Sequence, residues 1–363
     1  MSTAAEFRTA ASTPAPSCPG IVPGYLLARL AHSERYTHAA RAARQTLIAG
    51  RPAFHSTLEL SIDENGALVA EVSPAPTRTI SDAQNTEKLP GIIVRSEDDE
   101  PVADATVNEA FDGLGATFAL LLQAFDRNSL DGVGAALNAT VHYGEDYDNA
   151  FWDGTRMVFG DGEVFGSFTR SISVIGHELG HGVIQSTAGL VYRDQSGALN
   201  ESIADVLGAL TEQHASGQSA EQASWLIGEG LFTDQVQGRA LRSMIEPGTA
   251  YDDDELGKDP QPAHMRDYVQ TTEDNGGVHI NSGIPNRAFA LAARALGGPA
   301  WEGAGVVWYR ALTGGLSSTA GFTEFAEKTV TAAAAIGASV ESAVREAWVA
   351  VGVIEDARVR ERR

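Results

Sequence analysis

The sequence predicts an α+β fold of two lobes with a cleft between them. Strand-like runs come first and helical runs later, an order in which sheet and helices segregate. The chain has 363 residues, 43% of them hydrophobic, enough for a large core and more than one domain. No internal repeat interrupts this progression.

Residues 1 to about 20 are rich in Ser, Thr, Ala and Pro, a composition that predicts disorder. From "YLLARLAHSERYTHAARAARQTL" the apolar residues recur at helical spacing with Arg and His on the other face, predicting one helix over Gly24 to Ile48. This stretch is basic while the rest of the chain is acidic. "STLELSIDENGALVAEV" alternates apolar and polar around Asn65-Gly66, a hairpin signal. The Pro-rich "SPAPTRT" reads as a linker, so a boundary is placed near residue 75. From Ile80 to about Leu137 an extended segment gives way to a long apolar helix, "VNEAFDGLGATFALLLQAF". Between Thr140 and Ser167, valine and aromatic runs broken by Gly, Asp and Asn read as strands and turns. After Ser171 the pattern is helical and Ala-rich almost to the end.

The formal charge of −22, from 26 basic and 48 acidic residues, argues against a nucleic acid or anionic membrane partner, because long-range repulsion opposes the encounter. The single cysteine, Cys18, excludes an intramolecular disulfide. No run approaches the roughly 18 uninterrupted apolar residues of a membrane span. The N-terminus shows no apolar segment of the kind a signal peptide requires.

The chemistry concentrates in "VIGHELGHGV". In His177-Glu178-Leu179-Gly180-His181 the two histidines are four residues apart, so on a helix they project from one face and can share one ion. Glu178 lies beside them, placed to act on water activated by a metal, the arrangement a zinc hydrolase needs. A catalytic zinc takes three protein ligands and keeps one position open. "GALNESIADVLGAL" offers Glu201 as the third, and Asp205, four residues on, shares its helix face and can receive an imidazole N–H.

The H-E-x-x-H helix, the N-E-S-x-x-D helix twenty residues on, and "DNGGVHINSGIPNRAF" together resemble the thermolysin-like zinc metalloproteases, over roughly Arg78 to Val353. The resemblance implies a strand-rich catalytic lobe over residues 76–182, ending in the H-E-x-x-H helix, and a helical lobe over 183–363. Carried over, it makes His177, His181 and Glu201 the zinc ligands and Glu178 the catalytic base, with Asp205 orienting His177 and Asn200 supporting the other histidine. His279 matches the histidine that meets the developing oxyanion, with Asp274 setting its tautomer, and Tyr192 matches the tyrosine that assists. Arg242 matches an arginine that binds a substrate carbonyl, and Asn149-Ala150 match the edge along which substrate backbone lies. Phe165, Val174 and Leu241 fall where the family lines its primed-side pocket, which implies cleavage before large apolar residues such as Leu or Phe; apolar residues there also fit a plain core. The resemblance further implies polypeptide substrates and secretion, with a cytoplasmic precursor as the alternative because no signal peptide is visible.

Two departures stand out. The family's paired calcium site uses several carboxylates, yet Ser173, Ser224 and Leu226 stand at three of those places and only Glu212 and Glu229 remain. Calcium takes about six to eight oxygens, so the paired site is expected to be lost. Gly180 replaces the family's usual threonine, at a helix cost of about 1 kcal/mol relative to alanine, and leaves the ligands untouched.

"CPGIVPGYLL", Cys18 to Leu27, resembles the start of the short propeptide in the protealysin branch of the family, with Gly24 where a second proline is common. It implies that residues 1–75 form a propeptide that inhibits the enzyme within its own chain and is clipped between Ala49 and Thr77. Cys18 is a candidate zinc ligand in the precursor, as a thiolate in the open position; a plain thiol in an arm is the alternative. Two other readings remain. An exopeptidase needs a group to capture a chain terminus, for which there is no clear candidate; a dead binding protein of this fold would be expected to have lost a ligand or the base, and none is missing.

Overall fold

The structure, a computed structural model, describes residues 20–48 and 74–355. Cys18, the expected hairpin around Asn65-Gly66 and the expected cut region from Ala49 up to residue 73 lie outside the described residues.

The one helix expected over Gly24 to Ile48 is two, α1 (Gly24–Leu30) and α2 (Thr37–Ile48). Between them the Ser33 hydroxyl accepts the Tyr36 amide at 3.1 Å, a local side-chain bond that competes with the helical ladder. The apolar spacing does not report this break because each helix buries apolar residues, Leu26, Leu27 and Leu30 on α1 and Ala39, Ala40 and Ala43 on α2.

Strands β1 (Arg78–Asp82), β2 (Ile92–Ser96), β3 (Leu137–Val141), β4 (Ala150–Trp152) and β5 (Met157–Phe159) form one sheet in the order β2-β1-β3-β5-β4. The β1–β3 and β3–β5 pairs are parallel, and the two outer pairs are antiparallel. The last residues of the expected Pro-rich linker, Arg78 and Thr79, already belong to β1. The long apolar helix is α3 (Ala105–Phe125), started by Asp104, whose carboxylate accepts the Thr106 amide.

The second half is helical: α4 (Ile172–Gln185), α5 (Asp194–Ser216), α6 (Asp274–Asn281), α7 (Gly283–Leu296), α8 (Ala304–Thr313), α9 (Phe322–Ala334) and α10 (Ala338–Ala350), with two-residue strands β6 (Leu226–Ile227) and β7 (Arg242–Ser243) paired between α5 and α6. Helix α4 is buried from Ser173 to Ile184; it contacts α3, β4 and β5 on one side and α5 on the other. The α4–α5 contact is close because glycines make it. A Cβ on Gly208 would lie 2.3 Å from the Ser173 carbonyl oxygen, and one on Gly180 3.0 Å from the Cα of Ala204. One hydrophobic core runs through both halves and includes Ile21, Val22, Leu26, Leu27 and Leu30 from the N-terminal segment. Among the described residues no helix is long and apolar enough to cross a membrane.

Candidate metal centre

Helical spacing puts His177 and His181 one turn apart on α4, both buried. The second ring nitrogen of each is already engaged. His177 Nδ1 lies 2.7 Å from Asp205 Oδ1 and His181 Nδ1 lies 2.8 Å from Asn200 Oδ1. Asn200 donates its amide nitrogen to the Leu190 carbonyl, which assigns its oxygen to the imidazole. With Nδ1–H donating in both rings, the two Nε2 atoms keep their lone pairs, and these face each other at 3.2 Å. Glu201, on α5, stands 3.5 Å from His177 Nε2 and 3.6 Å from His181 Nε2, and its Oε2 is buried without a hydrogen-bond partner. Converging lone pairs and an orphaned carboxylate oxygen fit a cation held between them. The three ligand atoms lie within 4.8 Å of one another, and two imidazoles with one carboxylate are a donor set of catalytic zinc.

Burial, opposed in part by Glu201, pushes the His181 imidazole down to about 4, which keeps it neutral as a ligand must be. Burial alone would raise the Asp205 carboxyl, but Arg242 and His177 outweigh it and hold the group well below the usual carboxylate range. For Glu201 burial is likewise outweighed, by His279, His181 and His177, and its carboxyl is lowered.

Glu178, fully buried, spans the gap between the centre and the sheet edge: Oε2 accepts the Trp152 amide at 2.9 Å and Oε1 accepts the Ile21 amide at 2.8 Å. Ile21 and Val22 lie along β4. The Ile21 amide also donates to the Ala150 carbonyl at 3.0 Å, Val22 donates to Asn149 Oδ1 at 2.9 Å and accepts from Asn149 Nδ2 at 3.3 Å, and Arg242 Nη1 donates to the Ile21 carbonyl at 3.2 Å. Asn149, Ala150 and Arg242 therefore hold a stretch of peptide backbone. The edge is tied down by Asp148, whose Oδ1 accepts the amides of Glu163, Val164 and Phe165 at 2.9, 3.0 and 3.2 Å. Phe165, Val174 and Leu241 are buried in the same core as Ile21.

Entry to α6 explains how His279 is aimed. Asn275, Gly276 and Gly277 take positive φ (51°, 90° and 76°), conformations that the two glycines adopt without strain. This turn folds Asp274 back on the helix, so that its Oδ2 accepts the His279 amide at 2.9 Å and its Oδ1 sits 2.7 Å from Nδ1. Burial lowers the His279 imidazole, yet Asp274 and Glu201 overcome it and the net direction is up. His279 Nε2 points back toward the centre, 3.5 Å from Glu201 Oε2. The Tyr192 hydroxyl donates to Glu201 Oε1 and lies 3.3 Å from His279 Nε2.

At the expected calcium positions, Ser173 Oγ bonds Ser171 Oγ at 3.0 Å and accepts the Gly228 amide at 3.2 Å, and Leu226 is buried in β6. The Glu212 carboxyl is raised, first by burial, then, against a hydrogen bond from Ser173, by Glu229.

Among the contacts that the sequence reading missed, three stand close to the site. The backbone bond between Ile21 and Glu178 joins residues 157 apart. Gln261 donates to the His279 carbonyl at 2.7 Å. Asn286 donates to Asp205 Oδ2 at 2.8 Å. The last sits inside the motif "SGIPNRAF", which by itself does not say what the asparagine bonds.

Comparison with known proteins bears on the family. Residues 55–185 match the family described as thermolysin metallopeptidase, catalytic domain, and residues 188–353 match the thermolysin metallopeptidase, alpha-helical domain. The chain is 52% identical over 280 residues to the extracellular metalloprotease of Pectobacterium carotovorum subsp. carotovorum, covering 76% of this chain and 81% of that one. It is 51% identical over 288 residues to Protease PrtS of Photorhabdus sp. (strain Az29), covering 78% of each. The solved precursor of protealysin, a metalloproteinase from Serratia proteamaculans, superposes with a TM-score of 0.85 at 48% identity, covering 93% of this chain and 100% of that one.

Proposed function

The chain belongs to the thermolysin metallopeptidase family and is a zinc metalloendopeptidase, and from that premise we propose that it is synthesised as a precursor inhibited by its own N-terminal segment. The observation that carries the proposal is the bonding of Ile21 and Val22 to Glu178, Ala150, Asn149 and Arg242. A polypeptide substrate would use the same donors and acceptors, so the segment and a substrate compete for one edge.

In this reading His177, His181 and Glu201 hold the zinc. The chemistry zinc supplies when bound is Lewis acidity, which polarises a carbonyl and acidifies water. Glu178 takes the proton from the attacking water and returns it to the leaving amine; the Ile21 amide, 2.8 Å from Oε1, marks where that amine lies. Nε2 of His279 and the Tyr192 hydroxyl meet the negative charge that builds on the carbonyl oxygen. Asp274 fixes the His279 ring, Asp205 and Asn200 fix the rings of His177 and His181, and Arg242 with Asn149 and Ala150 holds substrate backbone. Ile21 stands directly after the peptide bond next to Glu178, which supports cleavage on the N-terminal side of large hydrophobic residues, with Phe165, Val174 and Leu241 lining the pocket. The reading includes no paired calcium. It places the protein outside the cell, as the name of its relative from Pectobacterium says of that protein.

A glycine at position 20 is what lets this segment lie so close to the edge. A Cβ there would fall 1.9 Å from the Ala150 carbonyl oxygen and 2.7 Å from Asn149 Oδ1, so an L-residue cannot take its place in this path. The test is casein hydrolysis by the freshly made full chain. The parent is expected to be latent and to gain chelator-sensitive activity on processing, Gly20→Ala to be active without processing, and Glu178→Ala to be inactive throughout. A parent fully active before any cleavage, or a Gly20→Ala chain as latent as the parent, would remove the proposal.

A further inference from the structure

Asp205 does more than orient one imidazole. Its Oδ1 faces His177 Nδ1 at 2.7 Å and accepts Arg242 Nη2 at 2.7 Å; its Oδ2 accepts Arg242 Nε and Asn286 Nδ2, both at 2.8 Å. Every group in this cluster is buried. The bidentate grip on Arg242 leaves Nη1 to reach the Ile21 carbonyl, so one carboxylate fixes both a metal-binding ring and the guanidinium that holds substrate backbone.

Two N–H groups on each oxygen fix the plane of that carboxylate, and the fourth is supplied by Asn286, which neither the sequence reading nor the roles above include. Asn286 sits in the first turn of α7, and its own Oδ1 is buried without a partner. A buried amide that leaves its acceptor unpaired in order to aim its donor at a carboxylate is placed for that donor. The reverse orientation would set its oxygen against Asp205 Oδ2.

We propose that Asn286 is a positioning residue: by holding Asp205 Oδ2 it keeps the carboxylate in the one plane that serves His177 and Arg242 together, and so couples zinc affinity to recognition of the carbonyl that follows the scissile bond. The inference rests on the reading of the cleft given above. It separates from a merely structural role because it predicts loss at two places that a general loosening of the fold would not single out.

The test compares the processed enzyme with Asn286→Leu, which keeps the branched outline, though with more bulk, and removes the donor, on a pair of blocked substrates. One is a leucine amide, which carries the carbonyl that Arg242 would meet; the other replaces leucine amide by an isopentyl amine, which lacks it. Direct partners of metal ligands, here Asp205, are commonly worth about 10–100-fold in metal affinity or activity, and Asn286 acts through that partner, so the lower end of that range is its ceiling. The expected result is a fall of up to about tenfold in the ratio of kcat/KM between the two substrates, carried mainly by a higher KM for the leucine amide, together with zinc held several-fold and up to about tenfold more weakly in competition with a chelator. Asn286→Ser, smaller and open to a bridging water, is the second variant should the first fail to fold, with the same two readouts and smaller losses. A folded variant with unchanged substrate ratio and unchanged zinc affinity would overturn the proposal. A parent enzyme that cleaves neither substrate would overturn the reading of the cleft, and the proposal with it.

Discussion

Tyr192 and His279 approach Glu201 from the same side, the hydroxyl donating to Oε1 and the imidazole Nε2 3.5 Å from Oε2. Both can therefore meet charge that develops next to the metal ligands. Removing one donor to such charge typically costs about 10²–10³ in kcat. His279→Ala is expected to lose that much, with KM little changed, while Tyr192→Phe, which keeps the ring and His279 in place, loses less. Steady-state kinetics on a short peptide check this; a loss confined to KM in both variants would reassign them to substrate binding. Residues at this scale were legible where their partners are set by short spacing. His177 with His181, Glu201 with Asp205, and Asp274 with His279 each lie four or five positions apart, and helix geometry or a glycine turn brings each pair onto one face. Asn286 was not legible, because its partner Asp205 is 81 positions away and an asparagine carries no signature of the bond it makes.

Helices α4 and α5 bring His177, His181 and Glu201 together only because they pack closely. Gly208 faces the Ser173 carbonyl and the amide of His177. Alanine is the better helix former by about 1 kcal/mol, so propensity alone makes Gly208→Ala stabilising. The 2.3 Å approach to backbone oxygen outweighs it, because overpacking of this kind typically costs about 1–3 kcal/mol. Gly208→Ala is thus expected to melt several degrees lower in a thermal scan and to bind zinc more weakly. A higher melting temperature with undiminished zinc binding would show that the packing has slack. Periodicity identified α3, α4 and α5 from the sequence and overran the break between α1 and α2. The bond from the Tyr36 amide to the Ser33 hydroxyl that marks the break involves a backbone donor, which apolar spacing does not report.

Across the whole molecule a basic N-terminal segment lies on an acidic body. Arg41 comes 3.9 Å from Glu145 and 4.0 Å from Asp146, and His38 comes 3.4 Å from Asp146. These groups are largely exposed, and exposed pairs contribute little. What holds the segment is apolar burial: Ile21, Val22, Leu26, Leu27 and Leu30 are almost wholly removed from water and join the core. The same core spans both lobes, so the segment, the sheet edge and the metal centre are parts of one packed unit. The order of strand and helix was legible because it is written in local pattern; the docking of the segment depends on contacts between distant parts of the chain.

The claim on which the rest depends is that His177, His181 and Glu201 hold one zinc ion. Crystals of the full chain grown with zinc, with diffraction measured on both sides of the zinc absorption edge, test it directly. One strong anomalous peak is expected about 2.0–2.2 Å from Nε2 of His177, Nε2 of His181 and the Glu201 carboxylate. A difference map with no peak among those three side chains, or with its zinc bound elsewhere, would contradict it.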